Sequence, residues 1–396
     1  MNIKSIIFSC VVLSGIATTI ALPIIAPLIR ALQLSVNQGG WMLSIGSLVM
    51  VAAATGWGMA SDRFGRKPVL LAGFAGLFLS YALFTAVVWS GLTAVVSGTA
   101  LFLLLVVTRA IIGGFLPAIP AAAQALMADN TEAHDRSAGM AVIGAANGIG
   151  LIVGPALSGM LALQGMIWPF VAAALLCFAA FFVVLAIVPK APRVIRSKAE
   201  PVNPFAPALL PWLLAGVLTM YSVVTVQVSG GFYFQDQLGL TAEKAGPALA
   251  IAFTLVGGAL FLTQLLQMKV LKWGARRMML AGSVFWVIGL LILLFTTTIA
   301  AYWFAYGLLG IGAGMLIPGY MGGASLAVPA DRQGAVAGFA AATQGIGFIL
   351  GPAVSTMLYE VDKSLPLWGV LLLMVLLFTL FAVPVATTPT TASESA

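Results

Sequence analysis

Side chains that could carry out chemistry are scarce in this 396-residue sequence. It has one histidine, His134, two cysteines, and 18 basic against 11 acidic residues, so that only 7% of the chain is charged. Cys10 and Cys177 both lie inside apolar runs. A metal site needs several ligands around one ion. The sequence therefore predicts no metal site and no cofactor, and we do not expect an enzyme.

Arg109 is the charge in the most unusual place, near the middle of the longest apolar stretch. A charge at the centre of a membrane helix costs at least about 2.5 kcal/mol on insertion scales, so it is expected to face the bundle interior or a water-filled cavity. We expect it to handle substrate or protons. The alternative is a structural role, in which its guanidinium binds backbone carbonyls of neighbouring helices.

None of the 11 carboxylates lies clearly in the middle of an apolar run. Asp236, near the end of one run, is the nearest candidate for a proton carrier. The alternative for this residue is a solvated loop position.

These residues lie in a chain that is 61% hydrophobic. A soluble domain carries about 25% charged residues, which excludes that class. Continuous apolar runs also exclude an outer-membrane barrel, whose strands alternate apolar and polar residues. We predict an all-α membrane protein with twelve spanning helices, at residues 5–29, 39–60, 68–89, 93–127, 137–163, 166–188, 209–235, 245–268, 277–298, 300–327, 333–358 and 365–386.

Basic residues determine the expected orientation. With the N-terminus in the cytoplasm, fourteen of the 18 basic residues lie in cytoplasmic segments and three in outer ones, which are Arg30, Lys244 and Lys363. The positive-inside rule then predicts a multi-pass protein of the cytoplasmic membrane with both termini in the cytoplasm. The net charge of +7 reflects this orientation, and no nucleic-acid partner is expected.

The sequence repeats itself. The run from Asn147 to Ala156 returns from Gln344 to Ala353, each with a glycine-proline pair, Gly154-Pro155 and Gly351-Pro352. Repeats of this kind indicate two bundles of parallel orientation. We predict six-helix bundles at 1–188 and 209–386, joined by a proline-rich cytoplasmic linker at 189–208 and followed by a disordered tail at 387–396.

A loop signature follows the second predicted span, in the run from Gly58 to Pro68. It resembles the signature loop of the major facilitator superfamily, in which a glycine, an aspartate-arginine pair and a glycine followed by two basic residues recur at this spacing. A carboxylate here can pair with a cation in one conformation and release it in another. We expect a conformational latch formed by Gly58, Asp62, Arg63, Gly65, Arg66, Lys67 and Arg136. The alternative is that the basic residues only set the topology.

Two further motifs are similar to those of this family. Arg109 with Gly113 and Gly114 resembles its mid-helix arginine motif, and the glycine run of the fifth span resembles the motif of its exporters and antiporters. Small residues let helix backbones approach closely. We expect the helix-packing residues to be Gly144, Gly148, Gly154, Pro155, Gly159, Gly351 and Pro352, in either a purely structural or a conformational role.

The second half departs from the pattern. Leu271 stands in the place of Asp62, while Gly274 matches Gly65. The tenth span has Gly310 near the position that corresponds to Arg109.

The resemblance implies the major facilitator fold and, most closely, twelve-span drug:proton antiporters. Helices one, four, seven and ten line the central cavity in that family, where cation exporters usually bury a carboxylate. We expect the cavity and proton-handling residues to be Arg109, Gln227, Tyr221, Tyr306, Arg30, Asn147 and Asp236.

We therefore expect a monomeric, proton-coupled exporter of a neutral or anionic small organic molecule, which could be a drug, a metabolite or a siderophore. The lipid bilayer is its other partner. An uptake carrier or uniporter for a small metabolite is the nearest alternative. An intramembrane enzyme or a receptor is disfavoured, because the chain shows neither a catalytic cluster nor a large outer domain.

Overall fold

A computed structural model describes residues 3–131, 136–188, 202–329 and 332–383. The described residues form fourteen α-helices and one short π-helix. Those of the first half are α1 Ile3–Thr19, α2 Leu22–Ala31, α3 Val36–Phe64, α4 Arg66–Leu92, α5 Gly98–Phe115, α6 Ala118–Asp129, α7 Arg136–Ala162 and α8 Trp168–Ile187. Those of the second half are α9 Leu210–Gln237, α10 Ala242–Leu266, α11 Ala275–Phe295, α12 Ile299–Leu326, α13 Gln333–Val361 and α14 Leu365–Ala382.

These helices make twelve segments that are long and apolar enough to cross a membrane, which confirms the predicted number of spans. The first span is divided into α1 and α2, and the fourth into α5 and α6. Proline accounts for both breaks, because its ring removes a backbone donor and disfavours a helical preceding residue. Pro23 lies in the first turn of α2, and Pro117 precedes α6. The spans predicted at 5–29 and 93–127 therefore each consist of two helices.

Each half is built from the same three helix pairs. In the first half, α1 packs on α7, α3 on α5 and α4 on α8. In the second half the corresponding pairs are α9 with α13, α10 with α12 and α11 with α14. The halves meet through α3 against α13 and α7 against α10, which are again equivalent contacts. We call these the N-half and the C-half.

An even number of spans places both chain ends at one end of the bundle. We call this end, which also carries the loop between α3 and α4, the terminal face. The opposite end, with the loop between α9 and α10, is the distal face. The predicted linker lies mostly outside the described residues, but Val202 and Ala206 pack against the C-half next to Leu209 and Val336. The predicted tail lies outside them.

Candidate transport site and gates

The distal face is closed by an ion-pair cluster that joins the halves. Arg30 of α2 donates to both carboxylate oxygens of Asp236, at 3.0 and 2.8 Å. Asp236 also accepts a hydrogen bond of 2.7 Å from the hydroxyl of Tyr359, and Lys363 lies 3.2 Å away. The Asp236 side chain is only 16% exposed and belongs to α9. The solvated loop position considered for this residue is therefore wrong.

Two more hydrogen bonds cross between the halves next to this cluster. The backbone N–H of Asn37 donates to Glu360 at 2.9 Å, and the N–H of Ala353 donates to the Ser44 hydroxyl at 2.9 Å. Ser44 is buried. These two bonds hold α3 against α13 over the distal half of the membrane, and the Arg30–Asp236 ion pair joins α2 to α9 beside them.

Glycines bring the halves together in the middle of the membrane. A Cβ placed on Gly148 of α7 would lie 2.8 Å from the ring of Phe261 on α10. At the equivalent position of the repeat, a Cβ on Gly345 of α13 would lie 2.8 Å from Val51 of α3. The backbones can approach this closely only because these positions have no side chain.

The halves part towards the terminal face. Gly144 lies one turn from Gly148, and Gly338 lies two turns from Gly345, each on the side of its helix that met the other half. No atom of the described residues comes within 4 Å of a Cβ placed on either glycine. Gly58, two turns from Val51 on α3, is equally free of neighbours. The described part of the interface is therefore closed at the distal face and open at the terminal face.

The terminal-face loop of the N-half contains a buried arginine with three partners. Arg66 is 4% exposed and donates to Asp62 at 2.5 Å, to Asp129 at 2.8 Å and to the Ser61 hydroxyl at 3.0 Å. Asp129 is 8% exposed, whereas Asp62 is 53% exposed. Arg66 thus ties the end of α3 and the start of α4 to the end of α6.

The rest of the expected latch surrounds this pair. Gly65 makes the turn between α3 and α4 with φ of 95°, a value that L side chains rarely adopt. Lys67 donates to the carbonyl of Leu185 at the end of α8, and exposed Arg63 lies over the Phe64 ring. The side chain of Arg136 lies outside the described residues.

Arg109 points towards the interior of the N-half. Its Cγ would lie 2.8 Å from a Cβ on Gly46 of α3, and it interacts electrostatically with Tyr81 of α4. Val107 and Ile111, on the other side of α5, are exposed towards the lipid. In the part of the chain that the structure describes, no hydrogen bond or ion pair engages the guanidinium.

The expected cavity residues lie at different depths and levels of exposure. Asn147 is exposed, on the side of α7 opposite to lipid-facing Val153 and Met160. It therefore faces the space between the halves. Gln227 and Tyr221 on α9 are half-buried, whereas Tyr306 is fully buried between Phe234 and Phe253. The structure does not bring Arg30 and Asp236 to this space, because they lie in the distal cluster.

Four of the five predicted packing glycines have close neighbours, in two different directions. The packing role expected for Gly144 is wrong in this conformation, because no described atom lies within 4 Å of a Cβ placed there. Gly154 meets Thr19 of α1 within the N-half, and Gly351 meets Val224 of α9 within the C-half. Gly148 and Gly159 instead face α10 across the interface.

The two prolines of this motif also lie at the interface. Pro155 cannot donate to the carbonyl of Leu151, which is the carbonyl that lies against Gly257 of α10. Pro352 precedes Ala353, whose N–H reaches Ser44.

Sequence reasoning missed Asp129, Tyr359 and Lys363. Asp129 lies at the end of an apolar run, where an acidic residue is equally expected in a solvated loop. Tyr359 follows Pro352 by two helical turns. The helical period was therefore the only signal in the sequence that indicated an inward-facing position for this residue. No group of three potential metal ligands occurs among the described residues.

The chain belongs to the major facilitator superfamily, whose family model matches residues 7–271 and 268–396. The twelve-helix fold and the gated interface described above agree with this class of transporter.

The tetracycline resistance protein of class C from Escherichia coli is 26% identical over 381 residues, which cover 92% of this chain and 91% of that protein. Among solved structures, the nucleoside transporter NupG is similar with a TM-score of 0.79 at 13% identity, covering 96% of this chain and 99% of that one. The human organic anion transporter MFSD10 has a TM-score of 0.68 at 19% identity, covering 96% and 98%.

Proposed function

We propose that this protein is a proton-coupled exporter that moves a neutral or anionic small organic molecule by alternating access. The observation that carries the proposal is the interface between the halves, which is closed from the distal face to the middle and open beyond Gly144, Gly338 and Gly58. Rocking about the contacts in the middle would open the distal face and close the terminal face. Small residues at the three open positions leave room for that closure.

The distribution of charge supports the proposed cargo. In the described residues, every carboxylate lies near a face of the bundle, whereas Arg109 lies in the middle without an anionic partner. An unpaired cation in a water-poor site attracts anions and repels cations. Drugs, metabolites and siderophores that are neutral or anionic match this distribution of charge. The similarity to tetracycline resistance proteins supports drug export, and that to an organic anion transporter is consistent with the cargo charge.

Asp236 is the proposed proton carrier. The charged and titratable groups around it are Arg30 from α2, Tyr359 and Glu360 from α13, and Lys363 with Asp362 from the following loop. Protonation would remove the negative charge that holds Arg30 and Lys363, which would loosen the distal gate. Asp362 is a poorer candidate, because it accepts its hydrogen bonds from Ser364 in its own loop and does not join the two halves.

We further propose that the terminal face is cytoplasmic, in a monomer of the cytoplasmic membrane, because most basic residues lie there. The alternative function is an uptake carrier or uniporter, which would use the same gates.

Transport in proteoliposomes tests the proposal. With an acidic lumen, we expect accumulation of tetracycline, a phenicol or an organic anion above the external concentration, and no accumulation after an ionophore collapses the pH gradient. Accumulation of a cationic dye instead would contradict the inferred cargo. Equilibration that never exceeds the external concentration would favour the uniporter.

Gly144→Leu tests the gates. The side chain has room in the state described here, but it would block closure of the terminal face. Buried Ala26, which lies against Gly231 at the distal interface, serves as the reporter after substitution by cysteine, with Cys10 and Cys177 replaced by alanine. We expect Gly144→Leu to abolish labelling of this cysteine by an impermeant maleimide from the distal side. Unchanged labelling would contradict rocking at this interface. Gly307→Leu, also in open space but away from α7, is the matched control.

A further inference from the structure

A surface of basic and apolar side chains lies where α10 ends and α11 begins, at residues 266–277. Its first part is a π-helix, Gln267–Leu271, followed by Lys272 with φ of 48°. The side-chain amide of Gln267 donates to the carbonyl of Trp273 at 2.7 Å and holds the turn together. We call these residues the 266–277 surface.

Three cations of this surface are exposed and have no partner in the described residues. Lys269, Lys272 and Arg277 make neither a hydrogen bond nor an ion pair there. The described carboxylates of the C-half all lie at the distal face, and they are Asp236, Glu243, Glu360 and Asp362. The described part of this half therefore offers no carboxylate that could neutralise the three cations.

Apolar side chains interleave with these cations. Met268 is 61% exposed and Val270 is 68% exposed, on either side of Lys269. The membrane-spanning segment ends at Leu271 and the next one begins at Ala275, so the surface lies at the edge of the bilayer. Trp273 is half-buried there, in the position that tryptophan prefers at membrane interfaces.

We propose that the 266–277 surface binds an anionic phospholipid, with Lys269, Lys272 and Arg277 around its phosphate headgroup and Met268 and Val270 against its acyl chains. Basic residues at the membrane surface attract anionic headgroups, and lysine stems lie along apolar surface while the ammonium remains in water. Free phosphate could satisfy the cations, but it would leave both apolar side chains in water. A phospholipid accounts for both the basic and the apolar side chains of the surface.

Native mass spectrometry of the full chain tests this proposal. The purified protein is mixed with equal amounts of phosphatidylglycerol and phosphatidylcholine that carry the same acyl chains. We expect the wild type to retain phosphatidylglycerol with at least tenfold preference, and K269Q/K272Q/R277Q to lose that preference. The charge-conserving K269R/K272R/R277K should keep it, and so should Lys244→Gln at the distal face.

Three results would overturn the proposal. They are equal retention of both lipids by the wild type, an unchanged preference in the triple glutamine variant, and displacement of the lipid by an equal concentration of inorganic phosphate. M268S/V270S should weaken retention of phosphatidylglycerol severalfold, and unchanged retention would contradict the proposed contact of Met268 and Val270 with the acyl chains. The assay does not measure transport, so its outcome is independent of the proposed function.

Discussion

The loops at 61–67 and 271–277 occupy the same place in the two halves but differ in their chemistry. Gly65 and Gly274 precede α4 and α11, and two residues later Lys67 and Arg276 each donate to backbone carbonyls at the end of the last helix of their half. This shared interaction joins the loop to the last helix in each of the two bundles. The difference lies in Arg66, which has Ala275 as its counterpart in the C-half.

The difference separates a structural feature from a functional one. A cation at a helix C-terminus stabilises either half by the same local interaction. Among the residues that the structure describes, the N-half alone adds a buried ion-pair network, which includes Asp62 and Asp129, and it alone has a charge in the middle of the membrane. In the described part of the chain, the ion-paired charges of the terminal face and the mid-membrane charge thus belong to the N-half, whereas the terminal-face cations of the C-half are exposed.

Arg109 is the difference between the halves whose removal should have the largest effect on transport. Its approximate counterpart Gly310 lets α12 approach α10, where a Cβ would lie 2.6 Å from the carbonyl of Val256. We expect Arg109→Ala to abolish transport, whereas Arg109→Lys should retain part of it, because the charge remains while the planar fork is lost. Asn147→Asp should weaken anionic cargo and admit cationic dyes. Transport assays with each variant check this, and wild-type rates in Arg109→Ala would assign the arginine to structure alone.

Arg66 should have the largest effect on stability. Removing one member of a buried ion pair costs about 3–5 kcal/mol, because the remaining charge stays in a water-poor site. We expect Arg66→Gln to lower the free energy of unfolding by about 3 kcal/mol. Unfolding of the purified protein in detergent measures this. Arg63→Gln, in the same loop but exposed, is the control and should change stability by less than about 1 kcal/mol. Equal losses in the two variants would contradict a special role for the buried pair.

The sequence predicted features that depend on local spacing. Asp62 and Arg66 are four residues apart on neighbouring helix ends, so their pairing follows from the motif itself. The glycines repeated at a constant offset predicted close helix packing, and the twelve apolar runs predicted the spans. These features need no knowledge of which helices are neighbours.

Features that depend on the arrangement of distant helices could not be predicted in this way. Arg30 and Asp236 are separated by 206 residues, and their pairing depends on how the two halves pack at the distal face. Asp129 reaches Arg66 only because α6 ends beside the start of α4. Gly148 and Gly154 belong to the same motif, yet Gly148 faces the other half whereas Gly154 faces α1. The reason is that six residues along a helix rotate the side-chain direction by about a third of a turn.

Asp62→Asn tests the expected latch in the loop of the N-half. Because Asp62 is half-exposed, its pair with Arg66 should contribute less than about 1 kcal/mol to stability. The state in which the terminal face closes should still depend on it, so turnover should fall about tenfold while expression and substrate binding remain. Binding by isothermal titration and transport rates are compared in the same preparation. Parallel loss of both would place Asp62 in the cargo site instead of the latch.

Lys67 and Arg276 should show the smallest and most symmetric effects. Both lie outside the ion-pair network, and each binds carbonyls at the end of a helix, an interaction typically worth about 0.3–1 kcal/mol for a cation near a helix C-terminus. We expect Lys67→Gln and Arg276→Gln each to lower the stability of the purified protein by less than about 1 kcal/mol and to leave turnover nearly unchanged. Arg276 makes two bonds, to Phe381 and Ala382, so its variant should be the less stable of the two. If Lys67→Gln reduces turnover as strongly as Asp62→Asn while Arg276→Gln does not, Lys67 takes part in the latch, and the two loops differ in their supporting bond as well.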